Sequence, residues 1–382
     1  MKKLKKDKWK EVFYGDYVDH IEVNETKPVN RQNSRYVSVE HIETGKLKIE
    51  SWIDEVMPTF FRTFKTGQIL FGKRRAYQRK VAIAEFEGIC SPHIWALEAK
   101  KDLQQEILPF LMLTDNFYEY VNANSAGTMS VYLKWPQLSK YKFLLPPPSE
   151  QKQIAALFQS IETAMEQVDG QEKNLHQLKH KLLKDLFSEK QEFGNHLKVK
   201  DFETVKFEKI AINISERVEP KKTELATYVG LEHLDADNLK IERTGTPDDV
   251  IGTKLKIYKG DIIFGKRRAY LRKVAVSHFD GIASAHSMIL RANEKYIEKD
   301  FLPYFMQSDT FMSRAVQISE GSLSPTIKNK TLAVQAFILP KKEKQKELIT
   351  VFKQFDTTME QLKQQKTSLK NLKQKLLNEI LG

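Results

Sequence analysis

One cysteine, Cys90, stands in 382 residues, which excludes an internal disulfide and a cysteine-built zinc site. A lone cysteine among apolar neighbours reads as a small core residue. No run approaches the ~18 apolar residues needed to cross a bilayer, and the opening MKKLKKDKWKEVFYGDY has no apolar signal-peptide core. The chain therefore reads as soluble and intracellular. Catalytic signatures are also missing: there is no Asn-Pro-Pro-Tyr-like methyltransferase motif, Gly-x-Gly-x-x-Gly fingerprint, His-Glu-x-x-His or Gly-x-Ser-x-Gly. Acidic residues are the scarcer charge, 50 Asp+Glu against 62 Lys+Arg, giving a net charge of +12. That balance favours polyanionic partners, nucleic acid first. The remaining composition, 41% hydrophobic and 10% aromatic, is globular and long enough for two or three domains.

The chain contains itself twice. Gly67 to Ala99 (GQILFGKRRAYQRKVAIAEFEGICSPHIWALEA) and Gly260 to Ala292 (GDIIFGKRRAYLRKVAVSHFDGIASAHSMILRA) are identical at 20 of 33 positions, at an offset of 193. YVSVEHI from Tyr36 matches YVGLEHL from Tyr228, and ILPFLMLTDNF ending at Phe117 matches FLPYFMQSDTF ending at Phe311. Further on, Pro146 matches Pro340, Gln151-Lys152 matches Gln345-Lys346, and Met165-Glu166-Gln167 matches Met359-Glu360-Gln361.

Each copy has one internal order. YVSVEHI, KLKIESW, GQILFG and KVAIAEF are short β-branched and aromatic runs that predict strands. LPFLMLTDNFYEYVNA predicts one amphipathic helix. A Gln-, Lys-, Glu- and Leu-rich stretch follows, predicting a long solvated helix. Met165, Val168, Leu175, Leu178, Leu182 and Leu186 form a heptad-like seam on the first such helix, and Met359, Leu362, Leu369, Leu372, Leu376 and Ile380 on the second. An intermolecular coiled coil competes with an intramolecular pair, but two matching seams in one chain make the pair simpler. At ~1.5 Å per residue each helix would be roughly 55 Å long, a ruler between the globular parts. The layout is thus a first globular domain over 1–148, a helix over 149–187, a connector over 188–204, a second domain over 205–341 and a second helix over 342–382. The charged faces carrying Lys173, Lys179, Lys363 and Lys370 are expected to be available to partners.

The densest chemistry is Lys73-Arg74-Arg75-Ala76-Tyr77-Gln78-Arg79-Lys80, repeated as Lys266-Arg267-Arg268-Ala269-Tyr270-Leu271-Arg272-Lys273. Five cations in eight residues around a tyrosine suit phosphate contacts and an aromatic face against sugar or base. A solvated charged hairpin is the competing reading for one copy; near-identity in both favours nucleic acid. Gly67-x4-Gly72-Lys73 has the spacing of a P-loop, but Arg74 stands where magnesium needs Ser or Thr, and Gln68-Ile69-Leu70-Phe71 reads as buried strand. His176 and His180 lie four apart without a third ligand and read as a solvated face. Pro247-Asp248-Asp249 opens like a nuclease motif that does not continue and reads as a turn. His93 and His286 occupy matching positions and read as hydrogen-bonded structural histidines.

This ordered set, two strand-rich units containing Gly-Asp-Ile-Ile-Phe-Gly-Lys-Arg-Arg-Ala-Tyr-Leu-Arg-Lys-Val-Ala-Val or its twin, each followed by Leu-Pro, Gln-Lys and a long helix, resembles the specificity subunit of type I restriction-modification enzymes over essentially the whole chain. The resemblance implies an α+β fold: two duplicated mixed α/β target recognition domains separated by a long antiparallel two-helix coiled coil. It implies that the chain is a non-catalytic subunit which binds double-stranded DNA at a bipartite site. It implies as partners two DNA-methyltransferase subunits, which hold S-adenosylmethionine and methylate adenine, and two restriction/translocase subunits, which use ATP and magnesium. No cofactor or metal is then expected in this chain, no membrane contact, and a prokaryotic cytoplasmic location. The sequence departs from the family where an arginine often precedes the last strand, having Gly127-Thr128-Met129-Ser130 and Gly321-Ser322-Leu323-Ser324. No arginine contact is assigned there.

If the copies read different half-sites, residues identical in both cannot discriminate. Lys73, Arg74, Arg75, Arg79 and Lys80, with Lys266, Arg267, Arg268, Arg272 and Lys273, are then phosphate clamps. Tyr77 and Tyr270 supply the aromatic face. Discriminators fall where the copies diverge: Glu50 to Lys65 against Leu239 to Tyr258, Met129 to Lys134 against Leu323 to Lys328, and Gln78 against Leu271, where glutamine could pair with adenine and leucine only touch a methyl. A helical scaffold without DNA specificity and a stand-alone DNA-processing enzyme are the other two classes the sequence leaves open.

Overall fold

The structure, a computed structural model, describes residues 6–26, 34–54, 62–127, 131–188, 193 and 196–382. The first repeat runs β1 (Lys10–Phe13), α1 (Tyr14–Tyr17), β2 (Val18–Ile21), β3 (Tyr36–Val37), β4 (Arg62–Phe64), β5 (Ile69–Gly72), β6 (Val81–Ile83), β7 (Gly88–Cys90), β8 (Ile94–Ala99), α2 (Leu108–Leu111), α3 (Asp115–Ala123), α4 (Trp135–Leu138), β9 (Lys142–Leu145) and α5 (Pro148–Leu186). The second runs β10 (Phe202–Lys206), α6 (Phe207–Ile210), β11 (Ala211–Ile214), β12 (Arg217–Val218), β13 (Tyr228–Val229), β14 (Lys254–Ile257), β15 (Ile262–Gly265), β16 (Val274–Val276), β17 (Gly281–Ala283), β18 (Ser287–Ala292), α7 (Leu302–Gln307), α8 (Asp309–Gln317), α9 (Asn329–Ala333), β19 (Ala336–Pro340) and α10 (Lys342–Ile380).

Both repeats use the same topology. A four-stranded sheet is ordered β2-β8-β5-β6 in one and β11-β18-β15-β16 in the other. A second sheet, β3-β7-β4 or β12-β14-β17-β13, contains one parallel pairing among antiparallel ones. An outlying ribbon pairs β1 with β9 and β10 with β19. The two-residue alternation of a strand sorts the central sheet into two faces. Ile69, Phe71, Val81, Trp95 and Leu97 enter the main core with the helices, while Leu70, Ala82, Ile94 and Ala96 enter a smaller core under the second sheet. In the second repeat Ile262, Phe264 and Leu290 take the first side and Ile263, Ala275 and Ile289 the other. Gln68-Ile69-Leu70-Phe71 is therefore buried strand, and the P-loop spacing is coincidental.

The described chain forms two compact units, Met1–Asp169 with Gln364–Gly382, and Gly170–Lys363, so each long helix contributes one part to each unit. In the first unit Ile154, Phe158, Ile161 and Met165 of α5 share a core with Leu376, Leu377, Ile380 and Leu381. Going from Glu162 to Asp169 on α5, the ion-pair partner on α10 moves back from Lys373 to Lys366, which is antiparallel pairing. In the second unit Leu183 and Leu186 of α5 share a core with Leu348, Ile349 and Phe352 of α10. The fold is thus α+β, two duplicated mixed α/β domains and an antiparallel two-helix coiled coil.

Four sequence expectations need correction. Lys46–Trp52 is no strand: Gly45 turns the chain at φ 84, Lys46 bridges Glu43 and Glu50, and one bond from Ile83 N–H to the Leu47 carbonyl ties the segment to the sheet edge. The single amphipathic helix is two, because the Thr114 hydroxyl accepts from Phe117 N–H and starts α3; Ser308 does the same for Phe311 and α8. Leu178 and Leu372 lie outside the helical seam, exposed, and the next residue takes their place in each helix: Lys179 and Lys373 are buried. Lys179 donates to Asp356 at 2.5 Å, and its counterpart Lys373 pairs with Glu162. Lys179 is accordingly withdrawn from any partner surface, whereas Lys363, which pairs with Glu242 at 2.7 Å, is exposed. Lys173 and Lys370 do stay exposed. The proposed connector over 188–204 lies partly outside the described residues.

A heptad with lysine in its seam needs that lysine's carboxylate. Lys373→Met is expected to destabilise the protein by about 2 kcal/mol by leaving the half-buried Glu162 unpaired, and Lys373→Met with Glu162→Leu to recover most of the loss. Urea-denaturation midpoints check this, and equal losses in the two variants would contradict it.

Candidate nucleic-acid interface

The basic motif is a loop that returns the chain from β5 to β6 in the first repeat and from β15 to β16 in the second. Its shape comes from two left-handed arginines. Arg75 and Arg79 have φ 53 and 53, Arg268 and Arg272 have φ 59 and 54, and each pair brackets a single 3-10 turn, Ala76–Gln78 or Ala269–Leu271. A non-glycine residue in that region costs roughly 1 kcal/mol, so the surroundings must enforce it. Gly72 N–H donates to the Lys80 carbonyl at 3.0 Å and Arg75 N–H to Val131 at 2.6 Å; Gly265 and Arg268 donate to Lys273 and Pro325 at 2.9 and 2.7 Å. The small Ala76 and Ala269, each 1% exposed, plug the turn into the main core. Gly72 and Gly265 leave little room: a Cβ there would sit 3.3 Å from Lys80 and Val39 in one repeat and from Lys273 and Leu231 in the other, so those side chains would have to give by a few tenths of an ångström.

The ten cations cast as phosphate clamps divide into two classes. Arg79 and Arg272 are drawn into the fold. Arg79 donates to Asp115 at 2.6 Å and lies 4.8 Å over the Tyr118 ring. Arg272 donates to Asp237, Asp309 and the Gln307 carbonyl at 2.8, 3.1 and 2.6 Å. Lys80 and Lys273 are spent likewise, on the carbonyls of Val39 and Leu231 at 2.7 and 2.6 Å. Those carbonyls belong to the Val-Glu-His and Leu-Glu-His turns, where His41 and His233 accept from the N–H of Ser38 and Gly230. The last two cations of the motif thus staple one repeated sequence to another.

The other members point outward. Arg74, Arg75, Arg267 and Arg268 are exposed, and Tyr77 and Tyr270 are 53% and 51% exposed. Arg74 donates to His93 Nε2 at 3.1 Å, and Arg267 to His286 Nε2 at 3.3 Å. Burial first, then the adjacent arginine, lowers the pKa of both histidines, which keeps the rings neutral at pH 7. An arginine has no acceptor, so Nε2 accepts and the ring proton sits on Nδ1. Lys73 and Lys266 are half-buried, and desolvation lowers the pKa of each. Lys73 lies 5.2 Å over the Trp95 ring. Gln78 is half-buried, whereas its counterpart Leu271 is exposed.

Of the proposed discriminators, residues 55–61 and 129–130 lie outside the described residues. Leu323 to Lys328 is a crossing segment whose Ser324 hydroxyl accepts from Arg267 and Arg268 at 3.0 and 3.3 Å. Leu239 to Tyr258 includes Ile251, 88% exposed. Sequence reading passed over Arg217, which faces Lys266; it lies in a short polar stretch with no repeat signal. Pro247–Asp249 is a 3-10 turn in which Asp249 accepts from Thr246 N–H at 2.7 Å, and His180 reaches Asp309 at 3.2 Å. Cys90 is buried, its thiol pushed up to about 12 mainly by burial, and unreactive. Among the described residues no group of three or more His, Cys, Asp or Glu could hold a metal ion, and no helix is long and apolar enough to cross a membrane.

Two substitutions separate the two classes of arginine. Arg272→Ala is expected to lower stability by about 2 kcal/mol by leaving Asp237 and Asp309 unpaired, whereas Arg268→Ala should move it by no more than ~0.5 kcal/mol. Thermal and urea unfolding measure both. Because the folded pKa of His93 and His286 is depressed, the stability these rings contribute is present above their unfolded value near 6.5 and lost as pH falls below it. Proton NMR titration should place both below 6.5.

The family model described as type I restriction modification DNA specificity domain matches residues 6–177 and 245–371. The type I restriction enzyme EcoDI specificity subunit of Escherichia coli is 28% identical over 45% of this chain, and the match spans only 40% of that protein. The type I restriction enzyme MjaVIII specificity subunit of Methanocaldococcus jannaschii is 24% identical over 82% of this chain and 75% of its own. The solved S subunit of a type I restriction-modification system from M. genitalium shares the fold, with TM-score 0.57 and 16% identity over 98% of this chain and 96% of that one.

Proposed function

Since the chain belongs to the type I restriction modification DNA specificity family, as its non-catalytic DNA-recognition component, we propose that each repeat reads one half of a bipartite duplex site while partner subunits carry the chemistry. One observation carries this reading. The same outward set, Arg74, Arg75 and Tyr77 or Arg267, Arg268 and Tyr270, is held by the same strained loop in two domains whose flanking segments differ. An identical grip with divergent neighbours is what two readers of different half-sites on one polyanion require.

In this reading Lys73, Arg74 and Arg75, with Lys266, Arg267 and Arg268, hold phosphates and set register. Gln78 and Leu271, the segments 131–134 and 323–328, and the stretch 239–258 supply base discrimination. Two methyltransferase subunits bring S-adenosylmethionine for adenine methylation, and restriction subunits bring ATP and magnesium. The exposed helix faces with Lys173 and Lys370 are docking surfaces for those partners. The working site is the prokaryotic cytoplasm, where the duplex is.

Methylated adenines in genomic DNA from cells expressing this chain with a neighbouring candidate methyltransferase are expected at one bipartite motif of fixed gap. Scattered or absent methylation, despite a stable complex, would overturn the bipartite reading. Replacing Lys73, Arg74 and Arg75 together by alanine should weaken binding to all duplexes and flatten the salt slope by about two to three units. Gln78→Leu should relax a single base position in one half-site only.

A further inference from the structure

A cavity of about 580 Å³ opens in the second repeat beside the basic loop, with Asn213, Ser215, Arg217, Lys266, Met288 and Asn329 among its walls. Five of its lining residues are lysine or arginine and none is aspartate or glutamate. Two of the five are already used: Lys254 donates to the carbonyls of Ile251 and Gly252, and Lys328 pairs with Glu320. The side chains of Lys266 and Arg217 have no hydrogen-bond or ion-pair partner among the described residues. Burial first, then the charge of Arg217, lowers the pKa of Lys266. At the buried end, the Ser287 hydroxyl also has no partner.

The first repeat shows what normally occupies this position. Strand register makes His20 the counterpart of Asn213 and Trp95 the counterpart of Met288. Trp135 begins α4 as Asn329 begins α9. In the first repeat these are aromatic and packed: His20 lies 4.5 Å from Trp135, and Trp135 5.5 Å from Trp95. The counterpart of Ser215, at the same offset of 193, is Glu22. Glu22 accepts from Arg62 at 2.7 Å and, as a nearby carboxylate, offsets the depression of Lys73. The first repeat therefore carries its own anion and its own filling. The second has neither; it retains the lysine as Lys266, has Leu255 where the first has Arg62, and presents Arg217 where the first has Asn24.

We propose that the cavity of the second repeat binds a phosphate group in the place where the first repeat has Glu22. Lys266 and Arg217 neutralise the phosphate, and Asn213, Ser215 and Asn329 supply the uncharged polar wall. The proposal deepens the DNA-recognition reading and rests on it for one source of that phosphate, the duplex backbone; a free phosphate compound is the other.

The full chain, wild type and as Ser215→Glu, Lys266→Gln and Lys266→Arg, is titrated with inorganic tripolyphosphate by calorimetry and with a short duplex by fluorescence anisotropy across salt concentrations. Ser215 is exposed, so its glutamate variant restores the carboxylate of the first repeat without disturbing the core. Tripolyphosphate binding is expected in wild type and Lys266→Arg and lost in the other two. Duplex affinity should fall roughly tenfold in Ser215→Glu and Lys266→Gln, with the salt slope flattened by about one unit, at unchanged melting temperature. Duplex binding that these variants leave intact, without tripolyphosphate binding by wild type, would overturn the cavity while the DNA-recognition reading stands. Tripolyphosphate binding that depends on Ser215 and Lys266, in a chain that does not bind duplex, would uphold the cavity for a free phosphate compound and sink the DNA source.

Discussion

Burial of one strand on both faces constrains everything else in each repeat. Ile69 and Phe71 face one core and Leu70 the other, as Ile262 and Phe264 oppose Ile263, so β5 and β15 have no solvent side. A strand so enclosed can neither slip in register nor tilt without moving every apolar side chain to the wrong core. The loop that leaves it is fixed at its root. Its left-handed arginines and plugged alanine carry that rigidity outward to the exposed cations. Most of the identity between the two copies of the motif is explained by this mechanical role, and only the outward residues need a ligand to account for them.

The fold was legible wherever periodicity and repetition agreed. Two copies with matched offsets disclosed the duplication, and Leu/Lys/Gln stretches without proline disclosed both 39-residue helices. What escaped depended on single side chains. One threonine hydroxyl divides a helical pattern into α2 and α3, and periodicity does not register caps. A leucine next to a lysine, at 178–179 and 372–373, suggests the leucine is buried, yet a waiting carboxylate reverses the choice. In the candidate site, residue type correctly marked a basic loop but could not tell a guanidinium aimed at solvent from one aimed at Asp237 and Asp309. That distinction is set by carboxylates distant in sequence.

The two repeats differ most usefully where they have been emptied. Where the first repeat has a ring cluster, a carboxylate and Arg62, the second has smaller polar groups, Leu255 and Arg217 beside the shared lysine, so the two copies can differ in ligand on one frame. Comparing copies within one chain reveals this directly, because strand pairing supplies the residue correspondence.

The participation of Leu376, Leu377, Ile380 and Leu381 in the core of the first unit has a consequence in time. That core also needs Phe158 and Met165 from α5, so its two contributions are made some two hundred residues apart along the nascent chain. At synthesis rates of about 5 to 20 residues per second, the first domain waits roughly 10 to 40 seconds with an apolar helix face uncovered, while the second is translated. The repeat made first is thus the last to be finished, and its exposed leucines and phenylalanines during that interval are a demand on the cell's chaperones that the completed molecule no longer displays.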